Sequence, residues 1–264
     1  PQSEPIVGCE APVPAIIYAS NKLDCDAKDN KSYPGALELC YDGKDNDCDN
    51  DVDEGATILS GEVVCYETGI TGDVHDDITI PAGGTLFAYG QTRLYANLTL
   101  GAGATVLMDT GAEIQLRTGT LTAIGTETEP IRITSAQENQ APGDWYRIVV
   151  GSGSSQDTHL EHVIIEYGGR SSSGVGTMLY VHQSPTLDQV TVQHSASSGM
   201  YLHSDGAAVA KPVVTNSTFQ DNDGYGLWCG APGKELWRAD CLDRTDPSKF
   251  TGNLLTANKY PIRV

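Results

Sequence analysis

From residue 75 onward the chain alternates apolar and polar residues in short runs and shows no helical period. DITIPAGGTLFAYG (77–90) and NLTLGAGATVLMDTGAEIQLRTGTLTAIGTETEPIRITS (97–135) place apolar residues at every second position between glycine-rich corners. Successive strand residues face opposite sides, so each run predicts a short strand with one buried and one solvated face. Further along, HLEHVIIEYGG (159–169), TLDQVTVQHSA (186–196) and VVTNSTFQDND (213–223) repeat the pattern, with Leu160, Leu187 and Val214 each 27 residues apart. That spacing stacks Val163, Val190 and Ser217 inward, then Ile165, Val192 and Phe219. A single rung cannot bury its own apolar face, so rungs must stack, and the predicted fold class is all-β, a coil of parallel strands. The competing fold is a β-sandwich, which needs hairpin turns of the Asn-Gly type that are absent between the rungs.

This order of strands, including the later PGDWYRIVV (142–150), resembles the right-handed parallel β-helix family in its secreted bacterial form over most of residues 75–264. The resemblance implies a fold far more than an activity, because one scaffold carries many functions.

Ahead of the coil the pattern changes. YDGKDNDCDNDVDEG, from Tyr41 to Gly55, packs seven carboxylates against one lysine. Carboxylates this close repel one another unless solvent or a cation intervenes. Asp45, Asp47, Asp49, Asp51 and Asp53 fall on alternate positions, and Gly43, Asn46, Asn50 and Gly55 supply residues that tolerate tight turns. Hard oxygen donors of this kind suit calcium. An EF-hand is excluded, because counting from Asp45 puts Asn50 at the sixth position and Ala56 at the twelfth.

With Asp24-Cys25-Asp26 and Tyr33-Pro34-Gly35-Ala36-Leu37-Glu38-Leu39-Cys40 upstream, the stretch DCDAKDNKSYPGALELCYDGKDNDCDNDVDEG resembles the metal-binding motif repeated in many bacterial surface proteins. The resemblance implies an extracellular calcium module whose ligands come from Asp24, Asp26, Asp42, Asp45, Asp47, Asp49, Asp51, Asp53 and Glu54. Ala27 stands where the pattern has a second aspartate, which costs one ligand. Asn50 replaces a glycine, and asparagine is among the residues that tolerate the left-handed conformation.

Charge and cysteine content narrow the class. Residues 1–55 hold 13 acids and 4 bases, so they carry −9 of the net −19, and a chain this acidic repels nucleic acid. Seven cysteines without a CxxC pair or a Cys/His cluster of zinc spacing point to an oxidising compartment. Cys229 and Cys241 are expected to pair across a short loop. Connectivity among Cys9, Cys25, Cys40, Cys48 and Cys65 stays open, with one thiol left over. Neither a leader pattern nor an 18-residue apolar span occurs, so the expectation is a soluble, secreted or cell-surface protein.

Candidate chemistry on the coil is sparse. Glu161 with Asp188, and Glu166 with Gln193 and Gln220, form outward columns that read as solvated faces rather than as paired catalytic carboxylates. Tyr167, His194 and Asp221 share a column that reads as a turn contact. His159, His162, His182 and His203 lie on neighbouring strands, with no spacing that forces them around a metal. Asp144 and Trp145 of the PGDW segment read as corner packing. Arg93, Arg117, Arg132 and Arg147 fall on different rungs without a shared column. The sequons at Asn97 and Asn216 accept glycans only in a suitable host.

Open coils expose strand edges at both ends. NKYPIRV (258–264) reads as one more strand, and PIVGCEAPVPAIIYAS (5–20) is apolar and extended in character. This segment caps its own coil or joins a neighbouring subunit in end-to-end assembly. The sequence therefore divides into an N-terminal segment with a loop-rich, disulfide-braced calcium-binding module, 1–60, and a right-handed parallel β-helix, 61–264. Its expected role is non-enzymatic: a secreted structural or adhesive protein that binds calcium and associates end to end. The alternatives are a polysaccharide lyase or hydrolase and a carbohydrate-binding module, with polysaccharide as the partner in either case.

Overall fold

The computed structural model describes residues 25, 48, 57–59, 62–64, 67–154, 157–170, 176–203, 211–230 and 247–263. Among these residues the strands wind into a parallel β-helix with three faces. On the first face Ile78–Ile80, Leu98–Leu100, Leu121–Ile124, His159–Glu161, Thr186–Asp188, Val213–Thr215 and Phe250–Thr251 stack in that order. The second face runs from the first half of Thr85–Leu94 through Thr105–Met108, Ile131–Ser135, Val163–Glu166, Thr191–Gln193, Thr218–Gln220 and Leu254–Thr256. The third face takes the second half of Thr85–Leu94, then Glu113–Leu116, Arg147–Val150, Thr177–Val181, Ser198–His203, Tyr225–Gly230 and Tyr260–Arg263. Thr85–Leu94 thus serves two faces, bending at Gly90 (φ 49°), and Glu67–Val74 pairs with it in parallel along both.

Among the described residues every strand pairing is parallel except one. Thr57–Leu59 and Glu62–Val64 form an antiparallel hairpin, and the latter strand then pairs in parallel with Ile78–Ile80. A two-residue connection leaves room only for a hairpin, because parallel neighbours need a crossover.

Inward side chains form continuous columns along each face. Ile80, Leu100, Ala123, Leu160, Leu187 and Val214 are in register on the first face. Leu86, Val106, Ile133, Ile165, Val192 and Phe219 follow on the second. Leu94, Leu116, Val150, Val181, Leu202 and Cys229 complete the third. All are buried. Each buried Val, Leu or Ile stabilises by about 1.5–3 kcal/mol, and every rung draws that gain from its two neighbours. The rung length is elastic: equivalent positions lie 20, 23, 37, 27 and 36 residues apart along the chain. Insertions enter only at the corners, because the strand lengths are fixed by the stack.

The corners use two kinds of turn. In the upper rungs Gly83 (φ 71°) and Gly103 (φ 72°) supply the left-handed residue between the first and second faces. In the lower rungs a single non-glycine residue does the same: His162, Gln189 and Asn216 at this corner, and Tyr167, His194, Asp221 and Ala257 at the next, all with φ between 50° and 64°. A left-handed L-residue costs about 1–2 kcal/mol, and here strands locked on both sides offset it.

Each corner interrupts the strand ladder and turns backbone groups into the core, where polar side chains meet them. At the first corner Val190 N–H donates to Ser217 Oγ at 3.0 Å, and Ser217 N–H donates to Asn253 Oδ1 at 2.9 Å. At the second, Ser195 N–H donates to Asn222 Oδ1 at 3.0 Å, while Asn222 Nδ2 donates to Asn258 Oδ1 at 2.8 Å and to Val192 O at 3.2 Å. The inward stack of Val163, Val190 and Ser217 is therefore polar at its third member for a reason.

The PGDW segment packs a corner, as the sequence implies. Trp145 is fully buried, its Nε1 donates to Glu166 O at 3.0 Å, and the ring leaves no room for a Cβ at Gly168, which would lie 2.5 Å away. Asp144 Oδ2 accepts from Ser135 Oγ at 2.6 Å and from Ala141 N–H at 2.9 Å. No helix among the described residues is long and apolar enough to cross a membrane.

Candidate functional site

In the N-terminal stretch the structure describes Cys25 and Cys48, and it joins them. They form a disulfide with Cα atoms 5.4 Å apart, and Cys25 N–H donates to Cys48 Sγ at 3.0 Å. One of the pairings left open in the sequence is thereby fixed. The bridge joins positions 23 apart in sequence and encloses three of the seven carboxylates of the acidic run, Asp42, Asp45 and Asp47, with Asp49, Asp51, Asp53 and Glu54 following it. Asp24, Asp26, Asp42, Asp45, Asp47, Asp49, Asp51, Asp53 and Glu54 all lie outside the described residues. Cys229 is disulfide-bonded too, while its expected partner Cys241 lies outside them.

On the coil the carboxylates are engaged as braces. Glu166 departs from the expectation of a solvated face: it points outward from the second face yet is only 1% exposed. Arg132 pairs with its Oε1, Thr134 Oγ1 donates to the same oxygen at 3.2 Å, and Gln193 Nε2 donates to Oε2 at 2.7 Å. The reason is cover from the 136–146 corner, where Gln140 Nε2 donates to Thr134 Oγ1 at 3.1 Å and to Ser135 O at 2.8 Å. Gln220 Nε2 extends the ladder to Gln193 Oε1 at 2.8 Å, in the register expected for Glu166, Gln193 and Gln220.

Glu161 and Asp188 are in register on the first face. Asp188 accepts from Thr215 Oγ1 at 2.6 Å and Asn216 Nδ2 at 2.8 Å. The Thr215 bond, opposed by slight burial and helped by Asn216, holds its carboxyl below the ordinary value. Glu113, on the third face, accepts from Arg147 Nε at 2.7 Å and Gln91 Nε2 at 3.1 Å. Burial pushes its carboxyl up, but these hydrogen bonds and the Arg147 charge together outweigh burial and leave it lowered.

Tyr167, His194 and Asp221 do share a column, as three of the left-handed corner residues; the Tyr167 and His194 rings stack at 5.2 Å. Only part of the histidine group comes together. His182 and His203 are neighbours on the third side with ring centroids 4.3 Å apart, whereas His159 lies on the first face and His162 at the corner that follows it. Among the described residues no group of three His, Cys, Asp or Glu is placed to hold a metal.

One surface escaped sequence reasoning. On the outside of the third face Arg93, Gln115, Val149, Tyr180, Tyr201 and Trp228 stand in one register column. Tyr180 and Tyr201 stack at 4.8 Å, Trp228 meets Tyr201 edge-on at 5.1 Å, and Tyr225 meets Tyr260 at 4.9 Å. Arg147 lies over the Tyr180 ring at 5.5 Å, and Tyr180 Oη is hydrogen-bonded to His203 Nδ1 at 2.8 Å. Burial raises the pKa of both Tyr180 and Tyr201, so the ring hydroxyls stay protonated. The column spans rungs of unequal length, so no fixed spacing announced it.

Comparison with known proteins bears on the N-terminal stretch. The Cu-binding MopE family model, described as "Putative metal-binding motif", matches residues 24–54. This segment carries a metal-binding motif, and the match covers the stretch recognised from its acidic pattern. No curated protein and no solved structure matches the chain significantly.

Proposed function

We propose that the chain is a secreted or cell-surface structural protein, adhesive rather than catalytic, in which calcium orders the acidic module and stiffens its junction with the β-helix. The observation that carries this reading is the donor set of the matched motif. Residues 24–54 contain no histidine and no methionine, and of their three cysteines Cys25 and Cys48 are spent in a disulfide, so at most one soft donor, Cys40, remains. Copper prefers imidazole, thiolate or thioether, whereas the aspartates and asparagines here are hard oxygen donors of the kind calcium takes. Copper therefore fits these residues poorly despite the name of the family model. Asp45, Asp47 and Asp49, with Asp53 or Glu54 closing the shell, exchange mutual repulsion for metal bonds, so the loop folds with the ion.

The non-catalytic part of the proposal draws on Glu166, Asp188 and Glu113, whose carboxylates are engaged in hydrogen bonds with neighbouring rungs. End-to-end association belongs to the same proposal. Phe250–Thr251, Leu254–Thr256 and Tyr260–Arg263 each have a strand partner on one side only among the described residues.

Scanning calorimetry with calcium, with copper and with a chelator tests the metal assignment. Calcium is expected to raise the melting temperature and copper to leave it unchanged. A profile indifferent to calcium, or one that responds to copper alone, overturns the assignment. Light scattering at high protein concentration with calcium reads the assembly, and a monomer under all conditions refutes it.

A further inference from the structure

The two ends of the coil differ in charge and in cover. At the opening end, residues 62–77 hold Glu62, Glu67, Asp73, Asp76 and Asp77 with no lysine or arginine, and residues 1–55 add −9 ahead of them. Asp73, Asp76 and Asp77 are exposed, and Arg93 of the next rung pairs with Asp73 at 3.0 Å. At the closing end, residues 247–263 hold Lys249, Lys259 and Arg263 and no carboxylate, in a chain whose net charge is −19. The opening rung also buries its inward residues, with Ile70 at 0% and Val74 at 3% exposure. The closing rung does not: inward Phe250 and Leu255 are only half-buried, while Leu254 and Tyr260 are 54% and 47% exposed. A basic rung with apolar residues in solvent therefore ends a coil that begins with an acidic one.

We propose that the closing rung of one copy docks on the opening rung of a second, so that the coils stack head to tail in one direction, held mainly by charge. Opposite potentials steer these two ends together, whereas two opening ends or two closing ends repel each other. A head-to-tail contact is heterologous, so every joint leaves one end of each kind open and growth continues. The joint is not a seamless coil. Thr57–Leu59 adds an antiparallel strand on the first face, so the opening end stands one strand, about 4.8 Å, taller there than on the other two faces. Phe250–Thr251 meets that strand before Leu254–Thr256 and Tyr260–Arg263 can reach Glu67–Val74. With strands of two, three and four residues, the closing end is also far smaller than the roughly 800 Å² per partner of a standard interface. Strand pairing and contact area are both limited, so charge supplies most of the attraction, and the association is weak and sensitive to salt.

The inference gives the end-to-end association its polarity and its driving force, and rests on that reading. Light scattering of the whole chain at high concentration tests it in about 0.01 M and about 1 M sodium chloride, where the Debye length is about 30 and 3 Å. Particles larger than dimers are expected at low salt and monomer at high salt. Lys259→Glu/Arg263→Glu turns the closing rung acidic, and this protein, verified by circular dichroism, is expected to stay monomeric at low salt. Its opening end is intact, so added to the parent in equal amount it caps growing stacks and is expected to lower their mean mass about twofold. A variant that merely misfolds cannot cap. Growth that stops at the dimer overturns the inference, and so does a folded variant that assembles like the parent or leaves the parent's mass unchanged. Assembly that persists at high salt sinks the charge-driven joint and leaves end-to-end association standing. A monomer under every condition sinks both. Calorimetry reads the metal separately, so neither result touches the calcium assignment.

Discussion

Replacing Arg132 by alanine tests whether the coil's buried carboxylate is a structural brace. Glu166 is 1% exposed and Arg132 46% exposed, so the pair is asymmetric. Loss of Arg132 leaves a buried carboxylate supported only by Thr134 Oγ1 at 3.2 Å and Gln193 Nε2 at 2.7 Å, both neutral donors. Breaking a buried pair from one side costs about 3–5 kcal/mol. Because half of Arg132 is in water, screening brings the expectation down to about 1–3 kcal/mol. Glu166→Gln in the same background removes the stranded charge while keeping an acceptor for Thr134, and is expected to recover at least half of that loss. Glu166→Gln alone costs about 1 kcal/mol, the worth of one hydrogen-bonded charge exchanged for a neutral group.

Urea unfolding followed by tryptophan fluorescence, with Trp228 and Trp237 replaced by phenylalanine in every protein compared, reads the three variants locally, since Trp145 Nε1 donates to Glu166 O at 3.0 Å. A local reporter matters here, because stacked rungs unfold stepwise when cooperativity between neighbours is lost. An Arg132→Ala midpoint equal to the parent's, or a double variant less stable than Arg132→Ala, refutes the reasoning.

Two further outcomes are expected. Gln189 is exposed at φ 53°, so Gln189→Val should destabilise by about 1–2 kcal/mol and Gln189→Gly should be neutral or mildly stabilising, both read from thermal melts. Glu113 has its folded pKa below the ordinary 4.5, so its contribution is complete above that value and is lost as pH falls through the folded pKa. Stability of the parent against pH is thus expected to drop below about pH 4.5 more steeply than that of Glu113→Gln, and parallel curves would contradict the assignment.

The inner columns were legible because period-two alternation and the 27-residue repeat are properties of the sequence that burial must obey. Leu160, Leu187 and Val214 pair as their spacing requires. The corners were half legible: Gly83 and Gly103 announce a left-handed turn, while His162, Gln189 and Tyr167 do not, since their conformation is imposed by the strands on either side. Glu166 was misplaced because alternation tells which side of the sheet a residue occupies, not whether a corner of the preceding rung folds beside it.

By itself, the sequence determined the all-β coil, its inward residues, the acidic metal-binding stretch and the oxidising character of its cysteines. These follow from local pattern and composition, which act through neighbours a few residues away. Tertiary structure alone decided the Cys25–Cys48 bridge, the burial of Glu166 and the column from Arg93 to Trp228. Such juxtapositions depend on register across corners of unequal length, and register is set by which rungs pair when the coil closes.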